Sequence, residues 1–348
     1  MDLSVNQTLR SEEPSTGPEK KDRDGGLPEK KDRSTEGGSS NSGVGHTFRS
    51  LMNRLSRREI LIYFFGATAS GLLFSTALLS VFSLVPLLIL GAQTGALATV
   101  FGLVLNAMVV LLMSGKPMAL AYLVWVLIPG LCLREGLARR ASLQVNIVLG
   151  TLSFLCAAAL ALWLEALVHG ISISAQFTSM QGMVVGWIEE GSKRVEIGSS
   201  VQGLDWEMAK ERFLMELPSS ILVAHLTMVT LSLLTVARFS PAVPPYQLRD
   251  WRMPSAAVWG VIVIGAGWLM TEDGSSEHTL FWNLLRVALA GYLLQGVAIL
   301  MEVLNFWKLQ GVLRWLAFGF AVTMMLPLVL GIGFFDQWFD FRAKIGQS

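Results

Sequence analysis

The 348-residue chain is 52% hydrophobic and only 15% charged, with a mean hydropathy of +0.52 and a net charge of +1. That balance excludes a water-soluble globular body and makes lipid the main solvent. It also excludes nucleic acid as a partner, because phosphates demand a basic surplus concentrated on one face.

The charges are unevenly placed. Residues 1–50 hold 17 of the chain's 53 charged side chains and carry PEKKDR twice, at Pro18–Arg23 and Pro28–Arg33. Such a segment cannot bury enough apolar area to offset its ordering entropy, so 1–50 is expected to be a disordered, charged cytoplasmic tail. It serves as a solvated spacer or recruits a partner. No apolar run follows a short basic start, so no cleavable signal peptide is expected and the first long apolar run acts as an anchor.

A transmembrane helix needs about twenty mostly apolar residues. Stretches that qualify lie at 59–80, 95–113, 118–133, 142–167, 217–237, 255–271, 280–304 and 311–335, with a further short apolar piece at Val81–Leu90. The expected fold is therefore all-α: a polytopic transmembrane helix bundle of about eight or nine spans. Lys and Arg mark the cytoplasmic side. Arg54, Arg57 and Arg58, then Arg134, Arg139 and Arg140, then Arg238, Arg249 and Arg252, and finally Lys308 and Arg314 should lie inside. The loop 168–216, with seven carboxylates against four cations, and the turn bearing Glu272, Asp273 and Glu277 should lie outside. An even number of crossings must separate the first two basic clusters, so Val81–Leu90 supplies a short or re-entrant crossing. Nine passes put the C-terminus outside; if the last segment re-enters, eight passes leave both termini inside.

Within the outer loop, Phe177, Met180, Val184, Trp187 and Ile188 recur at helical spacing, as do Trp206, Phe213 and Leu214. Both stretches read as amphipathic helices at the interface or as a cover over a cavity mouth. Cys132 and Cys156 lie far apart in apolar runs and read as small buried hydrophobes, without disulfide or metal spacing. Pro86, Pro129 and Pro327 interrupt apolar runs, and Gly91, Gly95, Gly260, Gly265 and Gly267 permit close helix contacts.

Ionisable and amide groups inside lipid are costly and therefore candidate functional residues. His225 lies deep in one span and Asn106 in the middle of another. Glu302 shares a helix face with Gln295 and Asn305. In the functional reading Asn106, His225, Gln295 and Glu302 line one polar cavity that binds a small solute or relays a proton. In the structural reading each amide makes an interhelical hydrogen bond, and Glu165, Arg286 and Glu302 snorkel to headgroups. No HExxH, GxSxG or GxxxxGK[ST] run is present, and His46, His169, His225 and His278 are scattered. No catalytic residue, metal site or cofactor is expected, and the chain does not read as an enzyme.

From Arg58 to Lys344 the motifs Pro244-Pro245, Trp251-Arg252-Met253-Pro254, Asn283-Leu284-Leu285, Gln295-Gly296 and the run GIGFFDQWFDFR from Gly331 to Arg342 resemble, in order and spacing, the YybS-like family of bacterial membrane proteins, a domain of unknown function. The resemblance implies a transmembrane domain over 58–345 in the bacterial cytoplasmic (inner) membrane, with the N-terminus cytoplasmic. It also gives Asp336, Trp338, Asp340 and Arg342 as a terminal motif. Its carboxylates can pair with the arginine at the membrane edge, which would anchor the last helix. The early spans around Pro86–Gly91 are similar, at fold level, to substrate-binding subunits of energy-coupling-factor transporters. Two functions follow: a small-solute binding or transport subunit, or a scaffold that recruits membrane or cell-envelope proteins through its tail and outer loop.

Overall fold

A computed structural model describes residues 68–76, 79–94, 96–194 and 206–346, all within the unit Leu55–Ser348. The tail 1–50 and the first residues of the opening span lie outside the described residues. The described chain is helical. After helical residues 68–75 and a 3-10 turn, Ser80–Phe82, come α1 (Leu84–Thr94), α2 (Ala96–Tyr122), a π segment (Leu123–Leu127), α3 (Ile128–Ala138) and α4 (Leu143–His169). Then follow α5 (Ile173–Arg194), α6 (Trp206–Phe239), α7 (Ala257–Met270), α8 (Ser276–Phe306), α9 (Gly311–Met324), α10 (Leu326–Phe339) and α11 (Phe341–Gly346).

Four stretches among the described residues are long and apolar enough to cross a membrane: Thr99–Ala138, Leu143–His169, Lys210–Phe239 and Ser276–Phe306. The bent pair α9–α10 makes a fifth if it counts as one span. The first stretch is not one rod. Its 40 residues would measure about 60 Å, twice a bilayer's hydrocarbon core. Gly115 breaks it with φ 81 and ψ 178, a conformation open to glycine, and Pro117 follows. A Cβ placed on Gly91 would meet both Thr99 Oγ1 (3.1 Å) and Arg134 Cγ (3.0 Å), two residues that a straight helix would hold about 52 Å apart. The chain therefore reverses at Gly115, between the two runs expected at 95–113 and 118–133. On the return arm Pro129 cannot donate to the carbonyl one turn back, and just before it the helix widens to the π segment, where Ile128 N–H bonds Leu123 O.

The interior is built mainly by α1, α2, α3, α4 and α6, through Leu84, Leu88, Val126, Leu133, Ile147 and Val229. A smaller cluster joins α7 to α8 through Val258, Val261, Leu285 and Tyr292. Outward faces are apolar as well: Leu112 is 82% exposed, Leu269 76% and Val312 75%, as expected of surfaces that meet lipid rather than water. Cys156, expected to be buried, sits on such an outward face, and Cys132 is half-buried.

Two further expectations change. The stretch around Trp206–Leu214 is not a separate interfacial helix but the first turns of α6, which continues through Pro218. The run 311–335 is not a straight span. It bends by 90° between α9 and α10 at Met325 (φ −118, ψ 27), with Pro327 at the start of α10, where its missing N–H is harmless. The other outer-loop helix exists as α5, in which the side chains of Phe177, Trp187 and Ile188 lie outside the described residues.

Helix α10 packs closely on α8 because both are small at the crossing. A Cβ on Gly296 would overlap Val329 O, and one on Gly333 would overlap Tyr292 O. This is the close backbone approach that glycine permits between membrane helices. Replacing Gly296 by Val should destabilise the protein by about 2 kcal/mol or more, read as a lower thermal midpoint in detergent. Gly331→Ala is the control: its added Cβ meets nothing within 4 Å, and its thermal midpoint should not fall.

Candidate functional site

Helix α8 starts from Ser275, whose Oγ accepts a hydrogen bond from His278 N (3.1 Å). Two clusters of polar side chains attach it to the rest of the protein. Near its start, Asn283 repairs α6. Pro218 interrupts the backbone ladder of that helix, and the Asn283 carboxamide bridges the opened rung. Its Oδ1 accepts from Ser219 N (3.0 Å) and its Nδ2 donates to Met215 O (2.9 Å). Beside it, Arg286 Nη1 lies 2.9 Å from Glu216 Oε2, and Trp282 Nε1 donates to Glu216 Oε1 at 3.2 Å. Arg286 is thus paired within the protein.

Three turns along α8, Gln295 performs a similar task. The segment 247–254, QLRDWRMP, reaches alongside α8 and leaves backbone groups without helical partners. Gln295 Oε1 accepts from Met253 N (2.8 Å), Gln337 Nε2 donates to Met253 O (2.8 Å), and Trp251 Nε1 donates to Gly291 O (3.0 Å). Gln295 Nε2 also donates to Asp336 Oδ2 (3.0 Å). Asp336 Oδ1 in turn accepts from Phe341 N (2.8 Å) and so caps α11 after the chain turns at Asp340 (φ 42). Arg342 Nε lies 3.5 Å from Asp336 Oδ2, with the two side chains 7% and 4% exposed. Burial at this level requires the charges to stay together. Asp340 and Arg252 form an exposed pair at 3.7 Å, a weak contact in solvent. Trp338 is 56% exposed and packs edgewise on Phe334.

Below this cluster, at the C-terminal end of α8, lies a cavity of about 510 Å³ lined by Arg249, Asp250, Glu302, Asn305, Arg342 and Ile345. Arg342 Nη1 donates to Arg249 O, while Arg342 Nη2 is buried with no hydrogen-bond partner. Among the described residues the Glu302 carboxylate makes no hydrogen bond or ion pair. The cavity therefore places a carboxylate without a hydrogen bond and an amide beside the buried Arg342 guanidinium, a set suited to recognising opposite charges.

The four residues singled out in the sequence fall in three places. Asn106 is fully buried and its hydrogen bonds are internal: Oδ1 accepts from Gly71 N (2.7 Å) and Nδ2 donates to Gly102 O (2.8 Å). His225 is fully buried elsewhere, stacked on Phe154 at 4.2 Å and edge-on to Trp125 at 5.6 Å. Its Nε2 is 3.4 Å from Gly150 O, and its Nδ1 has no partner. Gln295 and Glu302 share a face of α8, as their spacing suggests, with Gln295 in the polar cluster and Glu302 in the cavity. Arg249 and Asp250 escaped notice as site residues because their exposed-loop composition reads only as a topology signal. Asn146 was also missed. Its Nδ2 donates to Ala141 O (3.0 Å) and Tyr246 Oη (2.9 Å), tying α4 to the loop after α6.

A family model described as "Predicted membrane protein (DUF2232)" matches residues 53–337, which covers the Asn283 cluster, the Gln295-Gly296 crossing and Asp336, and ends before Asp340 and Arg342. It is the family that the sequence motifs resemble. No curated protein and no solved structure matches, so the fold-level similarity to energy-coupling-factor subunits gains no support.

Gln295→Met should leave Met253 N–H without its acceptor and remove the Gln295 donor from Asp336 Oδ2. Stability should fall by about 1–3 kcal/mol, and hydrogen exchange should accelerate at the Met253 amide while remaining unchanged at Ser219, which Asn283 holds.

Proposed function

We propose a function for a chain that belongs to the DUF2232 family of predicted membrane proteins: binding of a small charged ligand in the cavity at the C-terminal end of α8, by recognition rather than catalysis. The observation that carries this reading is Arg342. Its side chain is 7% exposed, its Nη2 has no hydrogen-bond partner, and it lines the same space as the unpaired Glu302. Buried donors without partners cost about 1–3 kcal/mol, a deficit that a bound acceptor removes.

The proposed topology has eight crossings with both ends inside. Gly71 lies against Asn106 and Val110 while Ser75 bonds Ser114 (3.4 Å), so helical residues 68–75 run parallel to the first arm of α2. Parallel neighbours require a return between them, and the stretch holding α1 makes it. The reversal at Gly115 adds one crossing, and α4, α6, α7 and α8 add the rest. Helices α6 and α8 also run in the same direction, since Ser219 faces Asn283 and Ser220 faces Arg286. The 90° bend sends α10 back along α8, and α11 doubles back so that Ile345 reaches the level of Asn305. The last segment thus re-enters, and Ile345 shares a side with Arg249. The basic loops make that side cytoplasmic in the bacterial inner membrane.

Passage of a solute across the bundle has less to support it than binding does. Asn106 and His225 are fully buried in separate packing environments. That packing also favours a second reading, an envelope scaffold that recruits partners through residues 1–50 and the outer loop. In the scaffold case, deleting either segment should remove co-purifying membrane proteins, and Glu302→Gln should change nothing.

Topology is tested in a background in which Cys132 and Cys156 are replaced by Ala. We expect Arg139→Cys and Ala343→Cys to be labelled from the cytoplasmic side and Glu272→Cys from the opposite side. Labelling of Ala343→Cys from the outside would overturn the eight-crossing arrangement. For binding, native mass spectrometry of protein released from membranes should find a retained small ligand, weakened at least about tenfold by Glu302→Gln through loss of a charge-assisted contact.

A further inference from the structure

The polar cavity does not end in protein. Phe306 and Ile345 line it and also line a second space of about 710 Å³, whose walls are almost wholly apolar. This groove runs along α8 from Gly296 to Trp307, about 16 Å of helix, and is flanked by Phe320 of α9 and Leu328 of α10. It exists because α9 and α10 meet at 90° and cannot both lie flat on α8. Lys344 stands at its rim. A charged cavity and an apolar groove thus lie side by side, with Phe306 and Ile345 bordering both, at the end of α8 where the basic loops gather.

The charges of the chamber narrow the ligand further. A free anion would meet Glu302 and Asp250, and a free cation would meet Arg249 and Arg342. A molecule bearing both signs a short distance apart satisfies both sets. One that also carries a hydrocarbon chain fills the groove.

We infer that the chamber and groove together hold one phospholipid with an amine-bearing zwitterionic headgroup, its phosphate at Arg342, its ammonium at Glu302 and one acyl chain along α8. This deepens the binding reading above and rests on it. The headgroup phosphate supplies acceptors for the unpartnered Arg342 Nη2, and the ammonium supplies donors for the Glu302 carboxylate and the Asn305 amide oxygen. The acyl chain covers Leu300 and Val303, which line the groove. A lipid held in this way differs from those that coat the bundle, because its headgroup identity matters.

The test uses the full chain in nanodiscs made from equal parts of phosphatidylethanolamine, phosphatidylcholine and phosphatidylglycerol, released into the gas phase for native mass spectrometry. One tightly retained phosphatidylethanolamine is expected, enriched about tenfold over the other two. Glu302→Gln should abolish that preference without reducing total bound lipid. Leu300→Trp, which fills the groove, should remove the retained lipid altogether. Both variants leave Arg342 and Asp336 in place, so the fold is not at stake. Retained lipid without headgroup preference, or a preference unchanged in Glu302→Gln, would overturn the proposal. A separate arm titrates lipid-free protein with soluble glycerophosphoethanolamine. If that headgroup binds and depends on Glu302 while no lipid is retained, the lipid assignment fails and the small-ligand reading stands. If neither binds, both fail.

Discussion

A backbone in hydrocarbon has no water to bond with, so wherever a membrane helix breaks, the protein must supply the missing partners. Among the described residues several side-chain amides do so. Asn106 accepts from Gly71 N, Asn146 donates to Ala141 O at the turn before α4, Asn283 bridges Met215 and Ser219 beside Pro218, and Gln295 accepts from Met253 N. Each amide lies on one segment and serves the backbone of another or of an adjoining turn. At these positions the open backbone and the tertiary arrangement are one problem with one solution, because a side-chain amide is brought to the group that lacks a partner.

Helix α8 carries two of these amides and becomes the frame on which the inner half of the fold is hung. Asn283 and Arg286 hold α6 at its start, and Gln295 gathers the segment 247–254, α10 and α11 farther along. Gly296 and Gly333 let α10 approach closely enough for Asp336 to reach Gln295. Once Asp336 is there, it fixes the first turn of α11 and draws Arg342 inward. The cavity at the end of α8 is a product of this sequence of constraints. Three irregular segments converge on a helix that outlasts them, and the space left between their ends keeps the charges they bring.

Several elements were legible from residue order alone. Hydropathy located α4, α7 and α8 to within a few residues and the C-terminal end of α6, and it separated the apolar runs 95–113 and 118–133, between which the chain reverses at Gly115. The shared face of Gln295 and Glu302 followed from their seven-residue spacing, because two turns of helix return a side chain to the same side. The bend at Met325 was only half visible. Pro327 signalled a break, but nothing in composition says whether a broken run continues across the membrane or turns back.

What the sequence determined by itself was the solvent, the helical class, the positions of several apolar helices and the family, since these depend on local composition and on short motifs. What only the tertiary structure decided was which polar groups meet. Asn106 and His225 look alike in sequence to Gln295 and Glu302, all being isolated polar residues in apolar helices. Their fates differ because a helix that is apolar all round carries no stripe to show which face turns inward, or against which neighbour. Asn106 turned to the backbone of Gly71, His225 to the ring of Phe154, and Glu302 to a cavity built with residues from two other segments. Those pairings are set by how the helices rotate and cross, and no local pattern encodes the rotation.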